Sequence, residues 1–275
     1  MTLCGFRSLM LAFLMLSLYL PSLGIAGEAP TTRSVRSLHN HFINAEQSTN
    51  WAGYGLAGSA LGYTSVSATW VVPSVRASST DTSSATWTGI GGGCSNPPSC
   101  TLIDETLIQA GTEQDSSSGI PTYSAWWEAL PVPSVPLSGG ILSSQTYDVL
   151  PGDAITVTIS STAVVDWSIQ IQNVRGGSPH WSFSQTVPYV AAGLTAEWIE
   201  ESPLVVGSSG AGQQSLSDFD RVLFTGLTVN GAAPELTPAE QIILSNGSGK
   251  TLAQPSAPEG SGNSFAVCYG ASPCH

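Results

Sequence analysis

Basic side chains are nearly missing from this chain. Its 275 residues carry 7 Lys or Arg against 19 Asp or Glu, with only 4 His. From Ser48 onward the bases are Arg76, Arg175, Arg221 and Lys250, while all but two of the acids lie there. So acidic a surface repels nucleic acid, and no nucleic-acid partner is expected. When acid neutralises the carboxylates, few positive charges are left to repel one another, so the composition suits low pH. An ordinary acidic secreted protein has the same balance, and composition alone leaves the two even.

Several catalytic signatures are also missing. Beyond residue 47 the histidines are His180 and His275. A Ser-His-Asp hydrolase would rest on His180, in the run Ser178-Pro179-His180-Trp181, which reads as a turn, and no Gly-x-Ser-x-Gly elbow accompanies it. No Asp-Thr-Gly or Asp-Ser-Gly run marks a two-aspartate protease. Gly91-Gly92-Gly93 precedes a cysteine rather than a helix, so it reads as turn chemistry and not a phosphate cradle. Of the 5 cysteines, Cys4 falls in the leader. The other four allow three pairings. The compact run around Asn96-Pro97-Pro98 favours local pairing, Cys94 with Cys100 and Cys268 with Cys274. A zinc site would want closer spacing or neighbouring histidines, so no metal is expected.

What is present divides into three parts. Residues 1–26 read as a signal peptide: Arg7 at the start, an apolar run from Leu9 to Leu20, Pro21, then small residues at Gly24-Ile25-Ala26. The run is too short for a comfortable membrane span. The expectation is therefore a secreted, extracellular protein with no membrane association once the leader is removed. Residues 27–47 hold Arg33, Arg36, His39 and His41 and lack a strand pattern; they read as a propeptide or a tail. Residues 48–275 read as one domain, with no linker long enough to separate two cores.

From Asn50 onward the hydrophobic period is two. Val66, Ala68, Trp70 and Val72 share one face of a strand. Leu107, Gln109 and Gly111 share a face of another, and Ser124, Trp126, Glu128 and Leu130 of a third. Further strands are read at 85–90, 155–159, 167–174, 181–185, 195–200, 221–229, 241–244, 251–254 and 265–269, with an Asn246-Gly247 hairpin turn. No ten-residue stretch has helical amphipathicity. Thr237 could cap a helix, but a turn into a strand is the preferred reading. Alternating strands between Gly, Ser and Pro turns imply an all-β, two-sheet antiparallel sandwich.

Two strands carry a lone polar side chain among apolar neighbours: Gln109, and Glu197 in Thr195-Ala196-Glu197-Trp198. Such groups are expensive to bury unless something needs them. Trp51, Trp87, Trp126 and Glu128 are the other groups suited to a groove.

The chain resembles the glutamic peptidases, or eqolisins. The matching runs are Asn50-Trp51-Ala52-Gly53-Tyr54, Ala68-Thr69-Trp70-Val71-Val72-Pro73, Trp87-Thr88-Gly89-Ile90-Gly91, Leu107-Ile108-Gln109-Ala110-Gly111, Tyr123-Ser124-Ala125-Trp126-Trp127-Glu128 and Thr195-Ala196-Glu197-Trp198-Ile199-Glu200. The resemblance implies a concanavalin A-like sandwich of the lectin/glucanase type and an acid endopeptidase with a Gln109–Glu197 dyad. It implies that Trp87, Trp126 and Glu128 line the groove with Trp51 near the substrate. It departs from the fungal enzymes at Gly91 and Ser124, where they carry Asp, and at Glu113, again in place of Asp. On this reading Glu197 is a carboxylate base, with an ordinary pKa of about 4.3, and Gln109 stabilises the oxyanion. No cofactor is needed, protein or peptide is the substrate, and a monomer is expected. The rival readings are a glycan-binding sandwich without catalysis and a glycosidase using Glu128 and Glu197. The enzyme reading requires residues 109 and 197 to meet across a solvent-accessible trough.

Overall fold

A computed structural model describes residues 42–44, 47–96, 99–130, 139–207 and 210–274. The signal-peptide expectation lies outside them, as does most of 27–47. The principal strands, in chain order, are β1 (Trp51–Ala57), β2 (Ser65–Val71), β3 (Thr82–Gly91), β4 (Leu107–Ser117), β5 (Ile120–Leu130), β6 (Ala154–Ala163), β7 (Asp166–Arg175), β8 (Ser178–Pro188), β9 (Thr195–Glu201), β10 (Arg221–Val229), β11 (Gln241–Ser245), β12 (Thr251–Pro255) and β13 (Phe265–Tyr269).

They form two antiparallel layers, as the period of two predicts. The first layer has the order β11-β1-β9-β3-β4-β5, with Gly139–Ile141 beyond β5. The second runs β8-β7-β6-β2-β10-β13-β12-β11. Strand β11 serves both. Gln241 and Ile242 pair with β1, and Leu244 and Ser245 pair with β12, so one strand carries the chain from layer to layer. Phe42–Asn44 and Gln47–Ser48 also pair with each other, and Gln47–Ser48 lies parallel to β11. Strand pairing thus begins within the segment expected to be a propeptide or tail.

The core lies between the layers, built from Ala52 and Tyr54, Ile108 and Ala110, and Trp198 on one side, against Val66, Ala68 and Trp70, Ile155, Val157 and Phe224 on the other. Its large aromatics satisfy their polar ends, as buried Trp and Tyr must. Trp198 Nε1 donates to Ser67 O across the layers at 3.0 Å, Trp70 Nε1 to Thr112 Oγ1 at 3.1 Å, and Tyr54 OH to Ser256 O at 2.7 Å.

Local details differ from the sequence reading in two places. His180 lies in β8, not in a turn, and its Nε2 is 2.9 Å from Asp148 Oδ1. The preferred turn into a strand is found at Thr237, which caps a short 3-10 turn, Pro238–Glu240, in a capping box with Glu240, directly before β11. The β11–β12 connection spans 246–250 rather than a two-residue turn, and Asn246 Oδ1 organises it by accepting from Ser248 N at 3.0 Å and Lys250 N at 2.9 Å. Both local disulfides form, Cys94–Cys100 and Cys268–Cys274. Among the described residues no helix is long and apolar enough to cross a membrane.

Candidate active site

Gln109 and Glu197 are on strands that do not pair with each other. β3 runs between them, and the registers place one row of residues straight across the layer: Gly55 on β1, Glu197 on β9, Gly89 on β3, Gln109 on β4, Glu128 on β5 and Gly139. Directly opposed residues share a sheet face, so Glu197, Gln109 and Glu128 all project from the face turned away from the sandwich core. Glu197 and Gln109 are two strand spacings apart, about 10 Å between Cα atoms. The residue between them has no side chain. A Cβ on Gly89 would stand 3.1 Å from Gln109 Cβ and 2.9 Å from Ile108 O. The sequence therefore leaves a gap over which the carboxyl and the amide can lean toward one reactant.

The next row holds Ile199, Trp87, Gly111 and Trp126, and the one after it Trp51, Glu201, Ala85, Glu113 and Ser124. Gly111 admits Trp87, since a Cβ there would be 2.6 Å from Trp87 Cβ and 2.1 Å from Thr86 O. Trp51 meets Trp87 edge-on, with ring centroids 4.8 Å apart. Trp51, Trp87 and Trp126, expected from sequence at a groove, thus lie together in the rows next to Gln109 and Glu197, in a second apolar cluster on the outer face.

That face is covered, contrary to the expected open trough. Gln109 and Glu197 are each 1% exposed, and Trp87 and Trp126 0%; Glu128 is half-buried. The physical reason is visible at one edge. The chain leaving β3 turns back over the row, and Gly93 packs on the Glu197 carboxyl.

Burial controls the electrostatics. It pushes the Glu197 pKa well above that of a free glutamate; the Thr195 hydroxyl works in the opposite direction and the Asp104 charge adds to the rise. Burial in this covered form therefore favours the protonated acid, against the ordinary carboxylate expected from sequence. Neither of its oxygens has a partner in full hydrogen-bond geometry, although the Thr195 hydroxyl favours its ionised form, and Gln109 Oε1 is likewise unpartnered. Buried polar atoms are almost always paired, so three such atoms in one row mark a place prepared for something else. Gln109 Nε2 donates to Glu128 Oε2 at 3.3 Å. That contact fixes which end of the amide faces Glu128 and leaves a second N–H.

The rival carboxylate pair fares worse. Glu128 and Glu197 are three strands apart, about 14 Å between Cα atoms, with Gln109 interposed and bonded to Glu128. A glycosidase pair has to face one bond from two sides with carboxyls about 5–9.5 Å apart, and here the Gln109 side chain stands between the two and occupies Glu128. Among the described residues no group of His, Cys, Asp and Glu could hold a metal ion. Asp104, which the sequence reading passed over, proves to be a buried carboxylate beside Glu197.

Comparison with known proteins shows the family. The sequence matches the Peptidase A4 family over residues 49–268. It is 28% identical over 251 residues to aspergillopepsin-2 of Aspergillus niger, covering 84% of this chain and 80% of that protein. The fold resembles scytalido-glutamic peptidase, solved with a transition state analog inhibitor, with a TM-score of 0.62 at 22% identity over 80% of this chain and 98% of that one. It also resembles SCP-B, an eqolisin solved with the tripeptide Ala-Ile-His, with a TM-score of 0.58 at 21% identity over the same shares. With four-fifths of its length matched, the chain belongs to the peptidase A4 family, the glutamic peptidases or eqolisins.

Proposed function

We propose that this chain is a secreted acid endopeptidase in which Glu197 and Gln109 act on one water molecule and one scissile carbonyl. The observation that carries this reading is the row Glu197–Gly89–Gln109, with its side-chain gap and its unpartnered oxygens. Glu197, once ionised, takes a proton from water as the oxygen attacks the carbonyl carbon. The free N–H of Gln109 donates to the developing oxyanion, and its Oε1 orients the water. One such donor contributes about 3 kcal/mol to the transition state. Glu197 then returns the proton to the leaving amine. Gln109 stays neutral at every pH, so the pair avoids the like-charge problem of two acids. Trp51, Trp87, Trp126 and Glu128 form the adjoining substrate groove.

The covered state bears on activation. A substrate reaches this row only when the cover opens, and the entry of water then removes the main cause of the raised Glu197 pKa. Residues 1–26 are proposed as a signal peptide and 27–47 as a propeptide, whose Arg33, Arg36, His39 and His41 suit an acidic partner surface until acid releases it. N-terminal sequencing before and after acidification tests this part; an unchanged start near residue 27 with full activity removes it.

The catalytic assignment is tested with denatured protein as substrate at pH 3 and pH 7. Acid-dependent cleavage is expected, with Glu197→Ala and Gln109→Ala folded and inactive. Acid proteolysis retained by either variant ends the assignment.

A further inference from the structure

Three segments that surround Glu197 meet at a single residue, Asp104, just before β4. Asp104 is 1% exposed in a chain with few charges. Its Oδ1 accepts from Thr106 N at 3.0 Å and from Thr106 Oγ1 at 2.6 Å, and its Oδ2 accepts from Leu194 N at 2.8 Å. Its backbone binds the end of β3 in both directions: Gly92 N donates to Asp104 O at 3.0 Å, and Asp104 N donates to Gly93 O at 2.9 Å. Two further bonds close the ring. Ala192 N donates to Thr106 Oγ1 at 2.8 Å, and Gly93 N donates to Thr195 Oγ1 at 3.1 Å.

The walls held in this way touch Glu197. Thr195 lies two residues before it on β9, and a Cβ on Gly93 would stand 2.5 Å from its Oε1. The arrangement also requires glycine at 91, with φ +95°, where a Cβ would be 1.9 Å from Thr106 O and 3.3 Å from Asp104 Cγ.

We propose that Asp104 is a positioning residue for Glu197: its buried side chain and its backbone together hold the walls that place the Glu197 carboxyl. As a like charge it also bears on how firmly Glu197 holds its proton. The inference rests on the reading of Glu197 as the base. Burial is the larger influence on that proton and Asp104 the charged one. The other groups around Glu197 do not hold these walls. Tyr63, between β1 and β2, has its own pKa raised first by burial and then by Glu197 and Glu240. Glu128 lies beyond Gln109, Glu201 is two rows away on β9, and Glu200 faces the sandwich interior.

The test uses the full chain in its matured form, with glutamate side chains labelled with carbon-13 and Glu197→Gln identifying the Glu197 signal. Asp104→Asn removes the charge with little change of shape. The Glu197 carboxyl is expected to titrate about half a pH unit or more below its wild-type position. The acid limb of kcat/KM moves with it while KM changes little. Thr106→Val keeps the Asp104 charge and the Thr106 N bond to it, and removes the two bonds of the Thr106 hydroxyl, to Asp104 Oδ1 and from Ala192 N. It is expected to lower kcat with the Glu197 titration close to wild type. An unmoved Glu197 titration in Asp104→Asn, or a wild-type kcat in Thr106→Val, overturns the proposal. If Asp104→Asn does not fold, the Thr106→Val result decides. If the wild-type protein cleaves no peptide, the base assignment fails on its own, and the carbon titration still reports whether Asp104 governs Glu197.

Discussion

Gly93 lies so close to Glu197 that a methyl group on it would stand 2.5 Å from the carboxyl Oε1. The atom met first is the far end of a flexible side chain, with Thr195 Oγ1 next at 2.9 Å, so Gly93→Ala is expected to fold and to displace the carboxyl together with the Thr195 hydroxyl. Misplacing a reacting group by about 1 Å costs on the order of 100-fold in rate. The expected outcome is a kcat/KM lower by about that factor with a melting temperature near wild type. Gly247→Ala, where nothing lies within 4 Å, serves as the neutral control. Comparable activity in the two variants would show that the covering turn does not determine where Glu197 sits.

Glu201 has the corresponding role for the groove. Its Oε2 accepts from Trp87 Nε1 at 2.9 Å and its Oε1 from Asn50 Nδ2 at 3.3 Å, all in buried surroundings. Removing the acceptor leaves a buried indole N–H unsatisfied, at a cost of about 1–3 kcal/mol. Glu201→Ala is therefore expected to lower stability by that amount in urea unfolding at pH 4, and to raise KM as Trp87 loses its orientation. Glu201→Gln, which keeps one acceptor, should lie between. An unchanged urea midpoint in Glu201→Ala would show that this bond does not hold the indole.

Much of this was legible in the sequence. The period of two in Trp126-Trp127-Glu128 and Leu107-Ile108-Gln109 put Gln109 and Glu128 on definite faces, and they are direct partners across β4 and β5. Strands 221–229 and 265–269 keep the bounds read from the sequence. What no local pattern contains is register between distant strands. That Glu197 stands opposite Gly89 is settled by packing over more than a hundred intervening residues. Nor does alternation reveal a covered outer face, because Trp87 and Trp126 are buried there without joining the main core. The polar end of that core was equally hidden: Ser84, Thr86, Gln114 and Glu200 look like solvent-facing residues and are buried in a hydrogen-bonded group. Asp104 did leave a trace. Asp-x-Thr is the signature of an Asx turn, and Asp104 Oδ1 does accept from Thr106 N two residues on.

At the far end of β7, Asp153 is a buried carboxylate held in its ionised form. Burial opposes ionisation, but bonds from Arg175, Asn173 and Leu150 N outweigh it and bring its pKa below the usual value of 3.8. Its two oxygens accept from Arg175 Nε at 2.7 Å and Nη2 at 2.8 Å, the forked pairing that suits a guanidinium. A lowered pKa contributes stability above the unfolded value, and that contribution is lost as pH falls through the folded one. Asp153→Asn should therefore cost about 3 kcal/mol at pH 6, as for a broken buried pair. The deficit should shrink as pH falls from the unfolded value of 3.8 through the lower folded one, where wild-type Asp153 takes up its own proton. A deficit independent of pH would mean that packing, and not the charge pair, is what the variant loses.

Glu200 works in the opposite direction and ties the fold to acid. It faces the sandwich interior, 0% exposed, with Thr86 Oγ1 donating to its Oε2 at 2.6 Å. Burial first, and the nearby Glu201 charge to a lesser degree, raise its pKa to about 8 against the hydroxyls of Thr86 and Ser84. In the unfolded chain the same group ionises near 4.5. Below that pH both states hold the proton and the contribution to stability is complete. Between 4.5 and about 8 the unfolded chain releases a proton that the folded one keeps, so stability falls by up to about 1.4 kcal/mol per pH unit. The buried Glu197 acts in the same sense. Glu200→Gln, neutral at every pH, is expected to retain the acid-side urea midpoint and to lose less stability between pH 4 and pH 8 than the wild type. Parallel slopes in the two proteins would mean that this carboxyl is not what makes the sandwich weaken as the medium approaches neutrality.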